Sequence, residues 1–150
     1  MNELAKFLVE AKKNTYASVG ESGEIILEDG SKELVYEEND LKYKDRYFGF
    51  NPFIGEEVVQ KDGKTIWGMN YYGKILRKTI SEKQVYNFLK EALSRVDKEN
   101  PFRGPDNYKK EGFEYRNKVK GNIKNFKGVE IILYKGEEVY KLEYHGGILN

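Results

Sequence analysis

A shift of 73 residues lays one stretch of this sequence on another without a gap. Phe53, Gly55 and Glu57 fall on Phe126, Gly128 and Glu130, and the turn glycine Gly63 falls on Gly136. Tyr71 and Gly73 fall on Tyr144 and Gly146, and Ile75 and Leu76 on Ile148 and Leu149. Chance agreement over a window of this size gives about one or two identities at ordinary residue frequencies. Conservative pairs fill the gaps: Val58 with Ile131, Val59 with Ile132, Ile66 with Val139, Trp67 with Tyr140, Met69 with Leu142. One extra residue in the second copy carries the match back to Tyr43-Lys44-Asp45-Arg46 on Tyr115-Arg116-Asn117-Lys118. Two copies are too few for a solenoid. The expectation is one domain over residues 1–150, with repeat one at about 3–76 and repeat two at about 81–149, related by a pseudo-two-fold axis.

Local signals give each copy its parts. Residues 3–13 place Leu4, Phe7, Leu8 and Ala11 on one helical stripe. Ser81, with Gln84 three residues on, reads as a capping box opening a second helix striped by Val85, Phe88, Leu89, Ala92 and Leu93. Asp62-Gly63 between β-rich runs predicts a hairpin over 56–60 and 65–72, because a type I′ turn needs positive φ twice. A second hairpin is expected over 129–134 and 138–145, and further strands over 32–37, 42–50 and 113–120. Residues 20–30 read as a loop with a short strand at 25–27, and 100–107 as a loop. The fold class is therefore α+β: two αβββ units, an antiparallel sheet, and two helices packed on one side.

Composition narrows the function. Lys and Arg number 26 against 25 Asp and Glu, so the chain lacks the basic excess usual in nucleic-acid binding. Its densest basic cluster, Lys109-Lys110 with Arg116, Lys118, Lys120, Lys124 and Lys127, reads as a solvated strand face, and no direct nucleic-acid contact is expected. There is no cysteine, which excludes disulfides and thiolate chemistry. No leader-like start and no membrane-length apolar run occur, so the expectation is a cytoplasmic protein without a membrane partner. No phosphate-binding glycine loop, histidine metal pair or Ser/His/Asp pattern is legible, and no metal or cofactor is specified.

Strand alternation sorts the candidate residues. A simple two-residue turn pairs Val59 with Ile66 and Val58 with Trp67. One face then holds Val58, Trp67, Met69 and Tyr71 and packs under the helices. The other holds Glu57, Val59, Ile66, Asn70 and Tyr72, with Glu130, Ile132, Val139, Glu143 and His145 at the equivalent places. A pseudo-dyad would bring Glu57 and Glu130 across a groove, where two carboxylates could hold a metal or shift each other's pKa. The alternative is that both are exposed strand residues, with Glu130 paired to Lys141. His145 alone is more often a hydrogen-bonded structural residue, Asp45 reads as either a buried, satisfied carboxylate or a site residue, and Arg103 reads first as loop punctuation at Phe102-Arg103-Gly104-Pro105 or else as an anion contact.

Several motifs resemble an uncharacterised bacterial and archaeal domain family. They are Asn14-Thr15-Tyr16-Ala17, residues 43–49, 53–59 and 67–73, Phe102-Arg103-Gly104-Pro105 and Tyr144-His145-Gly146-Gly147. Members of that family occur alone or behind an N-terminal helix-turn-helix domain, and this chain resembles the stand-alone form. The resemblance implies a sensor or effector module and no particular reaction. The leading expectation is a small-ligand-binding regulatory domain whose ligand is met by Asp45, Tyr47, Glu57, Asn70, Tyr72, Arg103, Glu130 and His145 converging on one concave region. A small enzyme using Glu57, Glu130 or Asp45 as acid, base or metal ligand is the alternative, and a protein-interaction module is the third reading.

Overall fold

The computed structural model describes residues 2–16 and 23–150. The part of the expected loop at residues 20–22, and Ala17 of the first motif, lie outside the described residues. Among the described residues, two helices, α1 (Asn2–Lys13) and α2 (Glu82–Leu93), accompany nine strands. These are β1 (Ile25–Ile26), β2 (Lys32–Glu38), β3 (Leu41–Gly49), β4 (Phe53–Lys61), β5 (Lys64–Ile75), β6 (Asn107–Lys110), β7 (Phe113–Asn122), β8 (Asn125–Tyr134) and β9 (Glu137–Ile148). They form one antiparallel sheet in the order β1-β2-β3-β4-β5-β9-β8-β7-β6, so β5 and β9 meet at its centre. The nine strands exceed the six of two αβββ units, because β1 and β2, both read from the sequence, precede β3 in the first unit and residues 107–110, of which only Asn107 was read as loop, add to β7 as an edge strand.

Both helices lay their apolar stripes on the same face of this sheet. Leu4, Phe7, Leu8 and Ala11 of α1 and Val85, Phe88, Leu89, Ala92 and Leu93 of α2 belong to one buried cluster with Tyr43, Trp67, Met69, Tyr71, Tyr140, Leu142 and Tyr144. Phe88 stacks on Phe113 and Tyr108, with ring centroids 4.8 and 5.5 Å away. Ser81 caps α2 as its sequence predicts, its hydroxyl accepting from the Gln84 amide at 3.2 Å. Among the described residues, no helix is long and apolar enough to cross a membrane.

The hairpin turns form as expected, with Asp62 and Gly63 at φ 49° and 80° and Lys135 and Gly136 at 49° and 84°. The pairing beyond them does not. A β-bulge follows each turn, so Val59 pairs with Trp67 rather than Ile66, and Ile132 pairs with Tyr140. Ile66 and Val139 are the extra residues, and their carbonyls accept from Leu149 and Leu76 respectively, each at 2.8 Å. The insertion flips β4 and β8 relative to β5 and β9. Glu57 and Val59, not Val58, therefore share the helix-facing side with Trp67, Met69 and Tyr71.

Candidate functional site

The flipped register puts charge inside the core. Glu57 is 2% exposed and Glu130 is fully buried, so neither is a surface strand residue, and Lys141 pairs with Glu143 instead of Glu130. Lys12, on the buried stripe of α1, reaches down to the Glu57 carboxylate. Arg103 makes a two-pronged contact with Glu130, at 2.9 and 3.1 Å, and Glu130 also accepts from Tyr115 at 2.5 Å and Tyr140 at 2.8 Å. The Arg103 guanidinium lies 5.5 Å from the Tyr71 ring centroid, and the Tyr71 hydroxyl donates to Asp45 at 2.5 Å. Asp45 stands opposite Glu57 in the β3–β4 register. The groups thus form one continuous network from Lys12 to Tyr140 beneath the helices.

Glycines make that reach geometrically feasible. Tyr71 of β5 passes over Gly55 of β4 to meet Asp45 on β3, and a Cβ at Gly55 would sit 2.3 Å from the Tyr71 hydroxyl. Tyr144 of β9 passes over Gly128 of β8 to donate to Asn117 on β7 at 2.7 Å, and a Cβ at Gly128 would sit 2.1 Å from the Tyr144 ring.

Burial governs the proton affinities. Desolvation first, then the facing Glu57, raises the Asp45 carboxyl to about 7. The phenols of Tyr43, Tyr71, Tyr115 and Tyr140 rise well above their ordinary value, burial leading and the neighbouring carboxylates adding to it. Burial alone would lower Arg103, but the Glu130 charge and hydrogen bond, together with the Tyr140 and Tyr115 phenols, outweigh it and raise its affinity for the proton. The cluster is therefore internally matched: each glutamate has its cation, and Asp45 is the carboxyl poised between charged and neutral.

The opposite face of the sheet carries a different set. Cross-strand partners line up there in two rows running over β3, β4, β5, β9, β8 and β7. One row is Arg46, Glu56, Asn70, His145, Lys127, Lys120; the next is Phe48, Ile54, Tyr72, Glu143, Val129, Lys118. The sheet curls so that these side chains border one open groove of about 1140 Å³. A second hollow of about 1070 Å³ continues it past Gly68 and Gly147, sharing Asn70, His145, Lys120 and Lys127. Gly68 and Gly147 are directly paired, so this part of the floor bears no side chain. Among the described residues, no group of three His, Asp or Glu is placed to hold a metal ion.

The eight candidate residues thus divide by face. Asp45, Glu57, Arg103 and Glu130 join in the buried network, and Tyr47 is on the same side, lining a small cleft beside Tyr71 and Arg103. Asn70, Tyr72 and His145 line the outer groove. Sequence reasoning did not single out Lys12, Tyr71, Tyr115, Asn117 and Tyr140 in the network, or Phe48 and Ile54 in the groove. Lys12 carried a signal: it follows Leu4 and Leu8 at helical spacing, on the stripe that must be buried.

The architecture defines an α+β domain with a helix-covered polar core and an open sheet face. Residues 45–149 match DUF5680, a domain of unknown function, and the chain belongs to this family. The match spans both faces of the site but begins after Lys12. No curated protein and no solved structure matches the chain.

Proposed function

We propose that this domain binds a small organic molecule on the open face of its sheet and serves as a sensor or effector module of a bacterial or archaeal regulatory system. The groove of about 1140 Å³ carries the reading: exposed Ile54, Tyr72 and Phe48 are grouped there beside Asn70 and His145. Binding sites combine an apolar surface with a few convergent polar groups in this way. The carboxylates of an acid/base mechanism lie on the other side, each glutamate engaged by a cation, which favours binding over catalysis. The regulatory role rests on the family resemblance described above.

The same reading takes the domain as two diverged copies of one unit. Support comes from bulges at matching places, Val59/Gln60 and Ile132/Leu133, and from the Tyr71–Asp45 and Tyr144–Asn117 bonds.

A thermal-shift screen of a metabolite collection tests the binding claim. Compounds that raise the melting temperature of the native chain should have no effect on a variant carrying Ile54→Ser and Tyr72→Ser, both exposed positions. Hits that stabilise both proteins alike, or the absence of any hit, would count against it.

A further inference from the structure

We infer that the ligand of this groove is an organic anion with a flat or extended apolar body. Its phosphate, sulfonate or carboxylate rests against Lys118, Lys120 and Lys127, and its body lies on Ile54, Phe48 and Tyr72. The inference rests on the groove being the binding site and adds the chemical class.

The two rows across the sheet are polarised. Their β3–β5 end supplies Phe48, Ile54 and Tyr72, and their β7–β8 end supplies Lys118, Lys120 and Lys127. Lys120 and Lys127 are direct cross-strand partners, and like charges so placed repel. His145 is the next residue in the row. Several other cations of the sheet hold carboxylates, Arg46 with Asp29, Lys61 with Asp40, Arg116 with Glu114 and Lys141 with Glu143, while Lys44, Lys64, Lys74 and Lys109 stand apart from one another on other parts of it. Among the described residues, Lys118, Lys120, Lys124 and Lys127 have no such partner. Of the two glutamates lining the groove, Glu143 is taken by Lys141, and Glu56 stands across the sheet opposite Arg46.

A chain of net charge +1 that gathers unpaired lysines along one wall of a concavity presents a local positive potential. An anion there relieves the Lys120–Lys127 repulsion and gains the neighbouring apolar surface. Single-stranded nucleic acid uses lysines and stacking rings together. The large apolar side chains Phe48, Ile54 and Tyr72 sit together at one end of the rows, with Val129 alone beside the lysines, and the chain has no overall basic excess, which favours a compact anion.

Two dyes of nearly the same body, anilinonaphthalene sulfonate and the uncharged phenylnaphthylamine, test the inference by fluorescence titration of the whole chain. The sulfonate should bind about tenfold more tightly than the amine, the gain expected from two or three exposed charges. Lys120→Gln with Lys127→Gln should erase that preference and leave the amine's affinity unchanged. Ile54→Ser with Tyr72→Ser should weaken both dyes. Equal affinities, or a preference that survives the lysine changes, overturn the anionic class while leaving the groove as the site. Dye binding indifferent to Ile54→Ser and Tyr72→Ser overturns the groove itself. A short thymidine oligonucleotide that displaces the sulfonate and binds more tightly, with the same lysine dependence, replaces the small anion by nucleic acid. Cooperative urea unfolding confirms that each variant is folded, and Lys118→Gln serves as a second charge variant.

Discussion

Asp45 and Glu57 face each other across β3 and β4 with both side chains buried, and the ammonium of Lys12 goes to Glu57. Asp45 is left with the hydroxyl of Tyr71. Burial makes its carboxyl resist ionising, and the facing Glu57 charge adds to that resistance.

Stability should therefore depend on pH through Asp45. Its folded pKa of about 7 lies above its ordinary 3.8, so between those values the folded chain holds a proton that the unfolded chain releases. The contribution is complete at low pH and fades as pH rises through the window, a loss of roughly 4 kcal/mol. Asp45→Asn should remove that slope and leave the variant more stable than the native chain at pH values above the window. Asn117 already performs the equivalent task for Tyr144. Urea unfolding of both proteins across the window checks this, and parallel curves would refute it.

Lys12→Ala should destabilise the fold by about 3–5 kcal/mol, because it leaves the Glu57 charge buried without its cation. Changing both partners to Met should recover most of the loss, since the pair then no longer has to be desolvated. Chemical unfolding of Lys12→Met, Glu57→Met and the double variant gives the coupling directly. Additive losses would contradict the pairing.

Gly55→Ala and Gly68→Ala, in facing strands, should behave oppositely. A Cβ at Gly55 meets the Tyr71 hydroxyl at 2.3 Å, whereas at Gly68 the nearest atom is 3.5 Å away. The first should cost roughly 2–4 kcal/mol through overpacking against the buried tyrosine. The second should leave stability within about 0.5 kcal/mol. Melting temperatures of the two variants separate these outcomes.

Lys127→Glu should stabilise the chain by about 0.5–1 kcal/mol at low salt, because it turns the Lys120–Lys127 repulsion into attraction. The gain should shrink in high salt. The same change should abolish the preference for the anionic dye. A melting temperature unaffected by the substitution at low salt would mean that the two lysines do not feel each other.

Helices and turns were legible because their signals are local. The Ser81–Gln84 cap and the apolar stripes marked α2, and Asp62-Gly63 marked the hairpin. The bulges were not legible. Ile66 and Val139 are β-branched residues in β-rich runs, and nothing in their identity says that they are left out of the pairing. One unseen residue per hairpin moved Glu57 and Glu130 from the expected groove to the core. The lysines of the wall stood out as a basic cluster that read as a solvated strand face, and only their apolar neighbours went unseen. Lys118 and Lys120 are separated from Lys127 in sequence, and their meeting with Tyr72 and Ile54 depends on the β5–β9 junction, which no local pattern encodes.

That junction also orders the assembly of the chain. Residues 67–75 of β5 pair with 140–148 of β9, and the bulge carbonyls at Ile66 and Val139 are satisfied by amides from the far ends of each other's strands. A nascent chain that has reached only α2 holds β5 as a bare edge, with no partner for its outer hydrogen bonds. Closing the sheet waits for its last strand, and contacts this distant in sequence form slowly. The first half of the molecule must therefore be kept from pairing with neighbouring chains until β9 is made, and β9 is also the strand that brings His145 into the groove.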